Sequence, residues 1–394
     1  MRKLLFLTGI AILLCLVLLQ QSRSFEAMGE RRLETLNTPS NELLVGVCWP
    51  FSTNEDGMAD GIRLAQEEIN AQNLASGVQI RLEMRDDASS WEKAHRIAVE
   101  FSANPRMAAV IGFYDSSIAL RSSVMFERSN LPHILIGANN TALTTYGQRY
   151  LVRTIISNEK IGAAMAQIAI NYGKKRIAVI AEDGAYGEDL SYHFRKVLDE
   201  QGGTVVYQHV YSRGHADFRL PANELKEIRP DLIFFGGIEP WAGDFLHELR
   251  SIGVKSQVVG AFTLTPEMRR RAGSAIENAM FFDFYDMTAT SPQNIAFVDR
   301  FRKKYGKDPD TWAAQGYDAL YILANAYNTA NSQNPLDLSY AIRYMDPWVG
   351  ANGRYDFDSR GELGNKPLYL KIVLKDVPYT FRRSTDTYAS STWR

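Results

Sequence analysis

Residues 109–120 read AVIGFYDSSIAL, and their pattern indicates the fold class of the chain. An apolar run ends at a glycine, and Asp115 and Ser116 then open a segment with apolar residues at helical spacing. The stretch predicts a buried strand followed by a helix whose first turn carries a carboxylate and hydroxyls. These groups either only cap the helix or, with its free amides and positive dipole, hold an anionic ligand.

The same alternation of apolar strand and amphipathic helix continues along the chain, as in LLVGVCW from Leu43, KRIAVIAED from Lys175 and DLIFFGG from Asp231. Strict alternation predicts a parallel sheet covered by helices on both faces. The 394 residues exceed one ordinary core. We therefore expect an α/β protein with two doubly wound parallel-sheet lobes, whose ligand site lies beyond the carboxyl ends of the strands.

Four predicted turns at those strand ends carry groups suited to ligand binding. Each has an ordinary structural alternative, such as a helix cap, an Asx turn or a packed aromatic ring. Two turns fall in the first half of the alternating pattern and two in the second, so all four would line a cleft between the lobes. The candidates are Tyr114, Asp115 and Ser116; Ala138, Asn139 and Asn140; Tyr186; and Ile238 with Glu239.

The N-terminus predicts export. Met1-Arg2-Lys3 is positive, and residues 4–19, LLFLTGIAILLCLVLL, are almost wholly apolar. This pattern is typical of a signal peptide or a membrane anchor, which we assign to residues 1–24, and a polar stretch then leads to Asn41. We expect a periplasmic or extracytoplasmic protein, either processed or held at the membrane by residues 4–19.

Composition argues against several other classes of function. The formal net charge of −1 argues against a nucleic-acid surface. One of the two cysteines, Cys15, lies in the export segment, so no internal disulfide is expected. None of the six histidines has a metal-ligand spacing, and no nucleophile elbow, P-loop or dinucleotide fingerprint follows a strand. We therefore expect no enzyme, no cofactor and no metal.

As a set, these segments resemble the type I periplasmic solute-binding proteins, and within them the leucine/isoleucine/valine-binding proteins of branched-chain amino-acid ABC importers. The resemblance covers roughly residues 43–375. It rests on the order and spacing of VGVCWPF…DGIRLAQEEINA, MRDDASSWEKA, AAVIGFYDSS…HILIGANNT, RIAVIAEDGAYGEDL, DLIFFGG and QGYDALYILANA.

The resemblance implies two lobes that close on a ligand about a three-segment hinge. The crossovers would fall near residues 153–157, 283–285 and 350–353. The implied domains are residues 43–155 plus 284–350 for lobe 1, residues 156–283 plus 351–378 for lobe 2, and a polar tail over residues 379–394.

The resemblance also implies roles for the candidate residues. Ser116 and the 138–140 turn would hold the α-carboxylate of a ligand, Tyr186 would stack on it, Ile238 would form a wall, and Trp312 would close the pocket. The family's ammonium-binding acid falls at Phe262, which cannot accept a hydrogen bond. Either Asp115 or Glu239 then supplies the charge, or the ligand is not an ordinary α-amino acid. Asp115 also stands where the family has a disulfide cysteine.

The expected function is capture of a small carboxylate-bearing solute, an amino acid or a related molecule, aromatic ones included. A monomer would deliver it to an ABC permease in the inner membrane. The alternative is a membrane-anchored ligand-sensing module that signals to a partner protein.

Overall fold

Strand β3, Met107–Ile111, lies at the centre of the first sheet, and all five of its residues are buried. The computed structural model describes residues 20, 22–38, 40–238, 240–261, 263–364 and 366–383. The first sheet is parallel throughout, in the order β2-β1-β3-β4-β5. The other strands are β1 (Glu42–Trp49), β2 (Gln79–Asp86), β4 (His133–Leu135) and β5 (Leu151–Arg153).

Helices cover both faces of this sheet and complete lobe 1. Most begin at a side chain that accepts a hydrogen bond from the first turn, as Ser90 does for α3, Asp115 for α4 and Asp310 for α12. The helices are α1 (22–36), α2 (Met58–Ala71), α3 (Trp91–Ala103), α4 (Ser116–Arg128), α5 (Ala142–Thr145), α11 (Pro292–Tyr305), α12 (Thr311–Ala330) and α13 (Pro335–Arg343).

Lobe 2 contains a seven-stranded sheet in the order β14-β13-β10-β9-β8-β6-β7, in which only the pairs that involve β13 are antiparallel. Its strands are β6 (Arg176–Glu182), β7 (Thr204–Tyr211), β8 (Leu232–Gly236), β9 (Gln257–Gly260), β10 (Met280–Asp283), β13 (Tyr369–Leu374) and β14 (Val377–Arg383). Its helices are α6 (Asn158–Asn171), α7 (Ala185–Glu200), α8 (Arg219–Ile228), α9 (Trp241–Ser251) and α10 (Pro266–Ala272). The predicted α/β class with two parallel-sheet lobes is confirmed.

The chain crosses between the lobes after β5 and again after β10. Strands β11 (Trp348–Gly350) and β12 (Gly353–Tyr355) form a separate antiparallel pair. The resemblance put a third crossover near residues 350–353, but residues 351–362 stay with lobe 1. Two backbone amides of this stretch donate to Asp318 of α12, at 2.8 and 2.7 Å, and Glu362 forms a buried ion pair with Arg153. The third crossing therefore lies after Glu362.

The polar tail expected from residue 379 begins later than the sequence suggested. Residues 379–383 belong to β14, which pairs with β13 as a hairpin. Lys375 and Asp376 form its turn with φ of +52° and +61°, the left-handed region that the turns of tight hairpins require. Residues 384–394 lie outside the described part of the chain.

Helix α1 packs on lobe 1 where the sequence indicated only a polar stretch. Phe25 packs against the lobe 1 core, and Arg32 is completely buried. The Arg32 guanidinium donates to backbone carbonyls around the ends of α3 and α4 and at β3, those of Phe101, Ser102, Asn104, Met107 and Ser129. Residues 1–19 and 21 of the expected export segment lie outside the described residues.

Candidate functional site

A cleft lies between the lobes, at the carboxyl ends of strands from both sheets. This is where a doubly wound sheet is expected to bind a ligand. Both lobes contribute to its walls. The lining residues are Tyr114, Asp115, Ser116, Gly137, Asn139, Tyr186, Arg213, Ile238, Ala261, Thr263, Phe284 and Trp312.

Asp115 is both a helix cap and a wall of this cleft. Its Oδ1 accepts from the backbone amides of Ser117 and Ile118, at 2.7 and 3.1 Å. The capping interpretation of the AVIGFYDSSIAL stretch is therefore right for Asp115. Two amides of the α4 N-terminus that could have bound a ligand carboxylate already have a carboxylate partner.

The three candidate residues of the second lobe 1 turn, 138–140, lie in different environments. Asn139 lines the cleft and donates from Nδ2 to the Ile156 carbonyl at 2.6 Å. Asn140 is not among the described lining residues, because its Nδ2 donates at 2.5 Å to the carbonyl of Ala185, in lobe 2. Ala138 is fully buried in the lobe 1 core. Of this turn, Asn139 is the residue that faces the cleft.

Ser116 lies beside this turn. Its Oγ is 3.4 Å from the backbone nitrogen of Asn140, from which it accepts, and the residue is only 2% exposed. A hydroxyl that accepts one hydrogen bond can still donate another. Ser116 can therefore offer a proton to a ligand oxygen in the cleft.

Aromatic rings form the apolar part of the lobe 1 wall. Tyr114 and Trp312 line the cleft with ring centroids 5.3 Å apart. Trp49 packs against both at 5.2 Å, is fully buried, and donates from Nε1 to Asp56. Gly137 brings the backbone close to this cluster, because a Cβ there would lie 2.8 Å from the Trp49 ring. The wall is rigid and suits a flat or branched apolar group.

The lobe 2 wall contains Tyr186 and Ile238, two of the candidates that the sequence pattern indicated. Tyr186 is in the first turn of α7, and its hydroxyl donates to the Ala261 carbonyl at 2.7 Å, which holds the ring at the cleft. Ile238 follows β8 and is part of the lining. Glu239 and Phe262 lie outside the described residues, so the structure gives neither a position.

Arg213 is the charged residue among the lining residues that the sequence analysis did not predict, which are Gly137, Arg213, Ala261, Thr263 and Phe284. It opens a 3₁₀ turn, Arg213–His215, just after β7. Its Nη2 and Nε donate to Glu182 at 2.5 and 3.1 Å, and its Nη1 donates to Asp115 of lobe 1 at 2.6 Å. Burial alone would lower the pKa of Arg213, but these carboxylates raise it above its usual value. The guanidinium is therefore permanently charged and joins the lobes.

The carboxylates around Arg213 lie in a poorly solvated region. Burial raises the pKa of the fully buried Glu182, and Arg213 opposes that rise. Burial also raises the pKa of Asp87 to about 6, with smaller contributions from the charges of Asp86 and Asp115. Among the described residues, no group of three or more His, Cys, Asp or Glu side chains could hold a metal ion.

Further contacts between the lobes show that the cleft is closed. The Thr141 amide donates to Asp189 at 2.8 Å, and Glu55 forms an exposed ion pair with Arg270 at 2.9 Å. Thr141 and Glu55 are in lobe 1, whereas Asp189 and Arg270 are in lobe 2. A ligand in the cleft would be enclosed by both lobes.

Two α/β lobes joined by crossover segments, with a cleft between them lined by residues of both, define a bilobed solute-binding protein. Comparison of the sequence with family models is consistent with this class. The chain belongs to the periplasmic binding protein family, whose model matches residues 49–374. The sequence resemblance to type I periplasmic binding proteins is confirmed, as is the prediction that the chain is not an enzyme.

Individual relatives agree with this assignment. The chain is 25% identical over 335 residues to a Leu/Ile/Val-binding protein homolog 2 from Brucella abortus, covering 84% of this chain and 90% of the relative. An ABC transporter substrate-binding protein from Desulfitobacterium hafniense, solved with Leu, is 27% identical with a TM-score of 0.76, covering 86% and 99%. A leucine-binding protein from Thermotoga maritima shares the fold, with a TM-score of 0.80 at 24% identity, covering 86% and 98%.

Family membership implies a periplasmic or extracytoplasmic location and a small-molecule ligand. The comparisons do not support a membrane-anchored sensing module. None of the helices among the described residues combines the length and the apolar character needed to cross a bilayer. The expected anchor, residues 4–19, falls outside the described part of the chain.

Proposed function

We propose that this protein captures a small carboxylate-bearing solute, an amino acid or a related molecule with an apolar or aromatic body, for an ABC importer. The observation that carries the proposal is the cleft between the lobes, with Ser116 and Asn139 on one lobe and Tyr186 and Ile238 on the other. A cleft between two α/β lobes that brings a few polar groups together with apolar and aromatic side chains is typical of small-ligand sites.

The division of groups in the cleft supports this ligand class. Ser116 and Asn139 both line the lobe 1 side of the cleft, where a carboxylate can accept a hydrogen bond from the Ser116 hydroxyl. Tyr114, Trp312, Ile238 and Phe284 supply apolar surface for the remainder of the molecule. The Leu-bound relative and the Leu/Ile/Val-binding homologue make branched-chain amino acids the first candidates, and the aromatic wall adds aromatic acids.

A thermal-shift screen of amino acids and aromatic acids tests the proposal. A ligand at 100 times its dissociation constant should stabilise the folded protein by about 2.7 kcal/mol. Ser116→Ala and Tyr186→Ala should each weaken the best ligand, because one removes a hydroxyl donor and the other removes part of the lobe 2 wall.

Matched controls are available on the same two helices. Ser123→Ala removes a buried serine of α4 that does not line the described cleft, and Tyr192→Ala removes an exposed tyrosine of α7. Both controls should keep the affinity of the unsubstituted protein. The proposal fails if Ser116→Ala and Tyr186→Ala leave the affinity unchanged, or if no acid in the screen stabilises the protein.

A further inference from the structure

Arg213 is held in a fixed position at the cleft before any ligand is considered. Its backbone carbonyl accepts from Trp241 Nε1 at 3.0 Å, and its guanidinium carbon lies 6.0 Å from the centre of the Trp241 ring. Its side chain is bracketed by Glu182 of lobe 2 and Asp115 of lobe 1. A guanidinium held in this way loses little rotamer freedom when it binds a further group.

The guanidinium still has donor capacity. Arginine carries five N–H groups, and the hydrogen bonds to Glu182 and Asp115 use three of them, one on each nitrogen. One N–H on Nη1 and one on Nη2 then have no acceptor among the described residues, and Arg213 lines the cleft. Of the described residues that line the cleft, Arg213 is the only one with a cationic side chain.

The opposite wall provides a second donor. The indole Nε1 of Trp312 is buried and has no hydrogen-bond partner among the described residues, although Trp312 lines the cleft. A buried N–H without an acceptor is costly, so an acceptor that enters the cleft would be stabilised there. The backbone amides of Ser117 and Ile118 in α4 already donate to Asp115, so they are not free to bind an acceptor in the cleft.

We propose that Arg213 is a specificity-determining ligand contact that binds the carboxylate of the solute from lobe 2. This inference rests on the proposed function and deepens it. Glu182 and Asp115 hold the guanidinium in place, and the carboxylate lies between Arg213 and Ser116, the residue next to Asp115 in sequence. The Nε/Nη2 fork of Arg213 is taken by Glu182, so the ligand carboxylate accepts from the N–H groups left on Nη1 and Nη2. Such charge-assisted hydrogen bonds give an uncharged amide much less stabilisation.

The test compares acids with their primary amides by isothermal titration calorimetry. The probes are L-leucine and L-leucinamide, L-phenylalanine and L-phenylalaninamide, and benzoate and benzamide. In the unsubstituted protein, the best acid should bind at least about 100-fold more tightly than its amide, in line with the discrimination of charged hydrogen-bonded groups. Arg213→Gln should reduce this acid-to-amide ratio by about tenfold or more, since one charged pair is lost.

Arg270→Gln is the matched control, because Arg270 also joins the lobes but lies outside the described cleft lining. It should leave the acid-to-amide ratio unchanged. Arg213→Lys should keep part of the acid-to-amide ratio, because lysine retains the positive charge but lacks the planar guanidinium. If Arg213→Gln does not fold, the double variant Glu182→Gln/Arg213→Gln keeps the test, since it leaves no unpaired charge at Glu182.

The outcomes separate the inference from the proposed function. Equal loss of affinity for the acid and its amide in Arg213→Gln overturns the inference, because Arg213 would then act only on closure of the lobes. An unchanged ratio overturns it as well. If none of the three acids binds but another acid in the thermal-shift screen does, that acid and its primary amide take their place in the test. If no acid binds the unsubstituted protein, the proposed function fails and the inference falls with it.

Discussion

Two ion pairs join the lobes across the cleft, and they differ in almost every physical respect. Asp115–Arg213 is largely shielded, with side chains 10% and 25% exposed, and Arg213 is also held by the fully buried Glu182. Glu55–Arg270 is bidentate but lies in solvent, with side chains 55% and 59% exposed. Charge interactions are strong where water is excluded and weak where it is not.

The comparison indicates which of the two ion pairs contributes more to stability and to ligand binding in the cleft. The exposed pair has better geometry, but solvent and side-chain entropy reduce its value. The shielded pair places charge beside the ligand cavity, and removing one member would leave carboxylates buried without a partner. We therefore expect substitutions at the shielded pair to change both stability and ligand binding, and substitutions at the exposed pair to change neither.

The largest effect is expected from Arg213→Met. It leaves Glu182 fully buried and Asp115 largely buried without their cation, so the free energy of unfolding should fall by about 3 kcal/mol or more. Urea titration followed by circular dichroism measures the change. Arg270→Met is the control and should leave the urea midpoint unchanged. Equal effects of the two variants would show that burial does not distinguish the two pairs.

A smaller effect is expected from Asp115→Asn. Asparagine still caps α4, so the change isolates the charged contact with Arg213, which retains Glu182. The free energy of unfolding should fall by about 1.5 kcal/mol, the typical value of a hydrogen bond to a charged group. Small-angle X-ray scattering without ligand should show a larger radius of gyration as the lobes separate. A loss as large as that of Arg213→Met would mean that the contact with Asp115, and not the contact with Glu182, accounts for the contribution of Arg213.

Glu55→Gln should have no measurable effect on the urea midpoint or on the scattering profile. Both members of its pair are exposed, and water replaces the lost contact. Increasing the salt concentration should likewise have little effect on the Asp115 contact, because burial limits screening. Opening of the lobes in Glu55→Gln would show that the exposed pair, not the shielded one, holds the lobes together.

The smallest expected effect concerns acid pH at the exposed pair. The hydrogen bond from Arg270 lowers the pKa of Glu55 below its usual 4.5. A lowered native pKa adds stability that is present above pH 4.5 and is lost as the pH falls through the native value. Because the pair is exposed, this contribution is too small to measure, and the urea midpoints of the unsubstituted protein and Glu55→Gln should stay equal as the pH falls through this range. A difference that grows in acid would contradict the assignment.

Most of the fold could be predicted because buried parallel strands and amphipathic helices leave strong local patterns. β3, which is buried throughout, and the capped helix α4 are examples. Two elements lacked such a pattern. The turn before β14 uses Lys375 and Asp376 at positive φ, where glycine or asparagine would have been the usual signal. Helix α1 is mostly polar, and its main contact with lobe 1 is made by an arginine, Arg32.

The candidate site was predictable where its residues directly follow apolar strands. Tyr114, Asp115, Ser116, Asn139 and the lobe 2 residues Tyr186 and Ile238 all meet in the cleft. Whether each contacts a ligand stays a prediction. Arg213 was missed because β7 is an edge strand with alternating exposure and no continuous apolar run. Its partner Asp115 is 98 residues away, a separation that no local pattern reports. An arginine just after a strand of an α/β sheet was the only available signal.

The attachment of α1 by Arg32 makes α1 part of lobe 1. Because the guanidinium is bonded to carbonyls around three elements of lobe 1, α1 and lobe 1 form one frame of reference. Hinge bending would therefore move lobe 2 relative to α1 and the rest of lobe 1. The distance between fluorophores on α1 and α7 should therefore change when the lobes open, whereas the distance between fluorophores on α1 and α3 should stay constant.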